Sequence, residues 1–258
     1  PYTPLFRSEN GDPQTAYRIA RDAVPPEHGF YRADRFFTAG WIALRFLHDP
    51  HTAAAHFAHI SQGTSSPYAL SRAGYWQGRA AEEMGQNAQA KATYQTAAQY
   101  SATYYGQLAR GRLGYADLGL HGPPALTPAE HRRMANFEVV RAVEILYALN
   151  ERDLLASIYA EIGDSGTDIA GMTALAEVAA KHGDGRAVLL LGDEAFSRGL
   201  PFAYYAYPTF GLPAYKPIAP PIGNDIAYSI VRQESHFNQK DVSPAKAMGL
   251  MQVTPEAA

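Results

Sequence analysis

Glu234 is the residue whose type and setting could carry acid–base chemistry in this chain. It lies near the end of a stretch that reads as a helix, with Asn224 as N-cap and Asp225 at the positive helix end. The apolar residues of that stretch are Ile226, Ala227, Ile230, Val231 and, at its far end, Phe237. At about 100° per residue, Ile226, Ile230 and Glu234 fall on one stripe, while Ser229 and Arg232 face elsewhere. A carboxyl group on an apolar stripe is expected to be partly buried. Desolvation disfavours its charged form and raises its pKa. A glutamic acid kept protonated near neutral pH is what a general acid requires. Periodicity alone leaves a second reading open, in which Glu234 is a rim residue or the partner of an arginine.

Other chemistries find less support. The histidines His48, His51, His56 and His59 cluster, with His56 and His59 one turn apart, but no further ligand lies nearby in sequence. The default for them is a solvated helix face, so no metal and no cofactor is expected. Neither a GxxxxGK phosphate loop nor a GxSxG elbow occurs. Ser235 beside His236 is not a nucleophile–base pair, because adjacent helical residues point in different directions. The chain has no cysteine, which removes disulfides, thiol nucleophiles and zinc fingers together. Its net charge of −3 argues against nucleic acid as a partner. No stretch approaches the roughly 18 apolar residues needed to span a bilayer.

The elements that must position Glu234 are helices. The 258 residues, 47% hydrophobic, can bury one large core or two smaller ones. Helical patterns run over Phe36–Leu47, Thr52–Ile60, Pro67–Met84, Asn87–Tyr100 and Tyr104–Leu113. Further ones cover Pro128–Leu149, Asp153–Ile162, Asp168–His182 and Arg186–Ser197, with Gly163, Gly183 and Gly199 as C-caps. Trp41 and Trp76 lie 35 residues apart in similar small-residue-rich helices, each followed by a turn and an Ala-rich helix. This matches a tetratricopeptide-like period of about 34 residues, the alternative being an irregular α-bundle with no superhelix. Composition changes at Leu200: Pro201–Pro221 holds six prolines and four tyrosines, a density that cannot sustain a helix. The tyrosines imply a docked linker. The expected division is a scaffold at 1–200, a linker at 201–222 and the chemical segment at 223–258. The chain opens at Pro1 and stops at Ala258 in what looks like the start of an element, so both ends read as cuts in a longer protein.

The chemical segment continues through Glu234-Ser235, Phe237, Asn238, Ser243, Gly249-Leu250-Met251-Gln252 and Pro255. This combined spacing resembles the soluble lytic murein transglycosylase family, peptidoglycan-cleaving enzymes with a goose-lysozyme-like catalytic domain. The upstream helices, including Ala102–Ala109, also resemble the α-superhelical part of that family. One departure is Lys246-Ala247, where the family usually has Gly-Ala before Gly-Leu-Met-Gln. Lysine takes φ > 0 less freely than glycine. The expectation is a different turn there, or a Lys246 side chain directed to solvent.

The resemblance implies an all-α chain: a tetratricopeptide-like α-superhelix followed by the start of a lysozyme-like catalytic domain. It implies a lyase that cleaves the MurNAc–GlcNAc β-1,4 bond and leaves 1,6-anhydromuramyl ends, with Glu234 as the single acid/base. Ser243, Gln252, Met251 and Thr254 would contact substrate; Ser243 as a cap and Met251 as a core residue are the plainer readings. The partner would be peptidoglycan glycan strands, with any protein partner in the cell wall left undefined. The compartment would be the periplasm, reached with a signal peptide since removed. Because the family's catalytic domain runs on well past Gly-Leu-Met-Gln, a rival reading is a non-catalytic helical-repeat scaffold that binds protein or glycan.

Overall fold

The computed structural model describes residues 11–24, 29–214 and 223–257. Among these the chain is all-helical: twelve α-helices and no strand, with isolated bridges only at Val242–Met248 and Met248–Val253. The helices are α1 (Pro13–Asp22), α2 (Gly29–Arg45), α3 (Pro50–Ile60), α4 (Pro67–Glu83), α5 (Asn87–Ala98) and α6 (Tyr104–Leu113). They continue as α7 (Pro128–Met134), α8 (Glu138–Ala148), α9 (Arg152–Ser165), α10 (Ile169–Lys181), α11 (Gly185–Ser197) and α12 (Asn224–Ser235). By packing, the chain divides into two compact units, residues 1–120 and 121–258. No described helix is long and apolar enough to cross a membrane.

Local chemistry explains most boundaries. Proline occupies the first turn of α1, α3, α4 and α7, where its missing N–H costs nothing. Asp12, Asp49, Asp168 and Asp184 each accept a hydrogen bond from a first-turn N–H of the helix they cap. Thr127 and Glu130 close a reciprocal capping box on α7. The single helix expected over Pro128–Leu149 is two, because the chain turns at Ala135–Phe137 before α8 begins. That turn lets Met134 and Val140 both enter one core. Gly183 and Gly199 succeed their helices with positive φ as expected, but Gly163 is buried inside α9 and is no C-cap.

In the first unit, each helix packs on the next along the chain. Small residues permit close approach: Gly74 faces Ala97, and Gly78 lies under the Tyr94 ring. Trp76 on α4 meets Phe37 of α2 and Phe57 of α3 at 6.0 and 5.9 Å between ring centroids. Trp41 on α2 packs into a separate cluster with Ala16 and Ala20 of α1. Each tryptophan therefore closes its own helix onto what precedes it. His56 departs from the expected solvated face: it is half-buried, 2.9 Å from the Tyr17 hydroxyl, and its ring lies beside Phe36.

The core of the second unit gathers Val143, Leu155, Tyr159, Met172, Val188, Leu191 and Phe202. The Tyr159 hydroxyl donates to the Leu175 carbonyl at 2.8 Å, so this buried phenol is satisfied. Near the surface, Glu144 is bonded by Lys181 and lies 2.9 Å from His182, whose ring stacks on Tyr147 at 4.1 Å. The hydrogen bond with His182 is the main cause that holds the Glu144 carboxyl below its ordinary pKa, with Lys181 adding to it against partial desolvation. A depressed carboxylate stabilises the fold above its unfolded pKa and loses that contribution as pH falls through the folded one. Glu144→Gln is expected to lower the stability by less than about 1 kcal/mol at pH 7. In melting curves against pH, its difference from wild type should close in acid; a difference that persists below the carboxylate range would contradict this.

Candidate functional site

Glu234 stands in the last turn of α12, whose N-cap is Gly223; Asn224, the expected cap, is the first helical residue. The helix is seated one residue round from the sequence expectation. Its inward stripe is Ala227, Val231 and Ser235, all buried, while Ile226 is 49% and Ile230 38% exposed. Glu234 shares that outer stripe and is exposed. The expected partial burial is therefore overturned. The physical reason lies in the neighbour: Val231, with Phe237, packs against Leu189 of α11, and this contact claims the Ala–Val–Ser stripe. Glu234 is thus presented outward at the end of an exposed apolar strip, open to whatever lies across it.

Immediately after Glu234 the chain enters a tightly specified turn. Ser235 is buried, and its Oγ donates to the Leu250 carbonyl at 2.8 Å. That bond holds the Gly-Leu-Met-Gln run against the end of the helix. His236 and Phe237 both have positive φ, 48° and 60°, a conformation that costs a non-glycine residue on the order of 1–2 kcal/mol. Phe237 is held there by burial against Leu189 and Val231. Asn238 closes the turn: its Oδ1 accepts from the Lys240 N–H at 3.2 Å and from the Arg186 guanidinium at 3.4 Å. Lys240 also bonds Asp153 of α9 at 2.8 Å, and that ion pair holds the Asp153 carboxyl below the usual range. Glu194 on α11 shifts the other way, pushed up by partial burial and then by Asp193 and Asp164, against a smaller opposing effect of His236.

The other residues expected at the site lie in the loop that returns past the helix end. The Ser243 Oγ accepts from the Ala247 N–H at 3.1 Å, and its backbone N–H donates to the Ala247 carbonyl. Gln252 donates through Nε2 to the carbonyls of Asp241 and Gly249 at 3.2 and 3.0 Å. Both polar side chains therefore shape the loop. Met251 is exposed and Thr254 half-buried, so Met251 is not a core residue here. The Ser235–Leu250 bond ties this loop to the end of α12.

Lys246 adopts φ +62°, the left-handed region, with an exposed side chain. The turn keeps the conformation that glycine would favour and carries the strain in a lysine. Its N–H donates to the Ser243 carbonyl at 2.9 Å, which holds the turn closed. Lys246→Gly is expected to raise stability by about 1 kcal/mol, read as a higher Tm; an unchanged or lower Tm would show that the turn is not strained.

Sequence reasoning passed over Ser235, Asn238, Arg186 and Arg232 as site builders. Ser235 and Asn238 had a signal, since both stand in the motif. Arg186 lies 52 residues from its bonding partner Asn238, a separation at which no local pattern could have paired them.

No curated protein matches the chain. Residues 219–258 match the family model of the transglycosylase SLT domain. The segment that carries Glu234, the turn after it and the loop of Ser243 and Gln252 is therefore similar to the transglycosylase SLT domain, a likeness that covers 40 of the 258 residues.

Proposed function

We propose that this chain is the scaffold and catalytic start of a periplasmic lytic transglycosylase that cleaves the MurNAc–GlcNAc β-1,4 bond, with Glu234 as its single acid/base. The observation that carries this reading is the placement of Glu234: exposed, in the last turn of α12, at the end of the Ile226–Ile230 strip, inside the SLT-matched segment. In this reading residues 1–200 form a tetratricopeptide-like superhelix and 201–222 a linker before the catalytic segment at 223–258.

The strip gives an N-acetyl sugar an apolar face to lie on. A sugar seated there excludes water from around Glu234. The carboxyl gives its proton to the glycosidic oxygen as the bond to C1 of the muramyl residue breaks. The carboxylate then takes the proton of the C6 hydroxyl as that oxygen bonds to C1. Atoms balance without water, and no second carboxylate acts as nucleophile. Met251 and Thr254 line the sugar path in this reading. Ser243 and Gln252 contribute through the loop they hold and through Gln252 Oε1.

The test is digestion of purified sacculi with mass spectrometry of the released muropeptides. Wild type is expected to release 1,6-anhydro ends, and Glu234→Gln to release them about a thousandfold more slowly. The rival reading, a helical-repeat scaffold that binds without cleaving, draws on the engagement of Ser243 Oγ and Gln252 Nε2 in the loop's own hydrogen bonds. It predicts that wild type binds sacculi in a pull-down and releases nothing.

A further inference from the structure

Three helical residues of α11 line up beneath the end of α12. Arg186, Leu189 and Asp193 stand at i, i+3 and i+7, so they share one face of that helix. Each meets a residue flanking Glu234. Asp193 accepts from the Arg232 guanidinium at 2.6 Å, two residues before Glu234. Leu189 packs with Val231 and Phe237. Arg186 donates to Asn238 at 3.4 Å, four residues after Glu234. Arg232 reaches further: its Nε donates to the Ala206 carbonyl at 2.9 Å, and its guanidinium lies over the Tyr207 ring at 4.6 Å. The proline- and tyrosine-rich segment is thereby fastened to the same arginine.

We propose that this face of α11 is a positioning platform for Glu234, and that Arg232 is its central positioning residue. The proposal rests on the reading of Glu234 as the acid. Arg232 touches no reacting atom. It faces away from Glu234's stripe and acts by fixing the angle of the helix end about its axis. Lysine cannot reproduce the arrangement, because a single ammonium has no planar fork to serve the Asp193 carboxylate and the Ala206 carbonyl together. The arrangement also gives the upstream helices a part in the chemistry: the position of the acid is set by α11 and by residues 206 and 207 as much as by its own segment.

The experiment combines hydrogen exchange with steady-state kinetics on the full chain, for Arg232→Met, Arg232→Lys, Asp193→Asn and the Arg232→Met/Asp193→Asn pair. Asp193→Asn keeps the side-chain shape and guards against a variant that fails to fold. Loss of a charge-assisted bond of this kind predicts an increase of about tenfold or more in amide exchange over 224–235, with α8 to α10 unchanged. Release of anhydro product should show a similar fall in kcat and little change in KM, because the acid is displaced while the sugar surface remains. The pair should be no worse than Arg232→Met alone, and Arg232→Lys should restore only part of the loss. Unchanged exchange over 224–235, an additive pair, or a rise in KM with kcat intact would each overturn the platform. If wild type makes no anhydro product, the acid reading of Glu234 fails, and the platform as an anchor is then decided by exchange alone.

Discussion

Glu234→Gln is expected to slow release of anhydromuropeptides by about a thousandfold, the middle of the range that general acid–base catalysis supplies. Glutamine keeps the shape of the side chain and can neither give nor take the proton. Because Glu234 is exposed and on the outer stripe of α12, the substitution should leave the melting temperature nearly unchanged. The loss should therefore fall on kcat, with substrate binding by the Ile226–Ile230 strip preserved. Glu234→Asp is informative beside it: the carboxyl survives but withdraws by one methylene, and a displacement of about 1 Å can cost about a hundredfold. A variant Glu234→Gln that still cleaves at more than a tenth of the wild-type rate would remove Glu234 from the chemistry.

Gly192→Ala carries the largest expected effect on stability. A Cβ at this position on α11 would stand 2.6 Å from the Ala206 nitrogen and 2.6 Å from the Tyr205 carbonyl oxygen, both backbone atoms that cannot rotate away. Ala206 and Phe202 are fully buried beneath this crossing, so the segment has no room to lift without opening the core. Overpacking of this kind typically costs about 1–3 kcal/mol, and the backbone clash places Gly192→Ala at the upper end. At this chain size the corresponding fall in Tm is about 5–10 °C. The substitution would also carry the Ala206 carbonyl away from Arg232, so exchange over 224–235 should rise with it. Gly111→Ala is the matched control: a Cβ there meets nothing within 4 Å in α6. Its expected effect is a stabilisation of up to about 1 kcal/mol. Equal effects at the two glycines would mean that residues 205 and 206 are not seated on α11.

The two glycines also mark where sequence stopped being informative. Most helices were legible, because their signals are local: apolar spacing, Asp caps and first-turn prolines. Pro50 shows the edge of that legibility. The helical pattern starts at Thr52, whereas the Asp49 cap makes Pro50 the first residue of α3. The break at Ala135–Phe137 had no glycine or proline to announce it, and only the shared burial of Met134 and Val140 explains it. The helix over Pro13–Asp22 was missed, although Asp12 and Pro13 carry the same cap-and-proline signature.

At the site, the motif located Glu234 and its loop but not the face that α12 buries. The helix has two adjacent stripes, Ile226–Ile230–Glu234 and Ala227–Val231–Ser235. Side-chain size favoured the first. The partner decided for the second, since Leu189 offers its contact to Val231 and the Leu250 carbonyl offers its acceptor to Ser235. Neither partner is local to the helix, so no periodicity within α12 could have chosen between the stripes. Lys246 is a complementary case. Sequence marked it as the wrong residue for a left-handed turn, and the turn is left-handed regardless, held by the Ser243–Ala247 bonds around it.

In the proposed function a single carboxyl at Glu234 directs cleavage in which the sugar's own C6 hydroxyl replaces water. Digestion of purified sacculi in ¹⁸O-enriched water tests it most directly, with mass spectrometry of the new muramyl ends. Wild type is expected to give 1,6-anhydro ends free of the heavy isotope, and Glu234→Gln to release them about a thousandfold more slowly. Reducing ends that carry ¹⁸O would show hydrolysis by an activated water and contradict it.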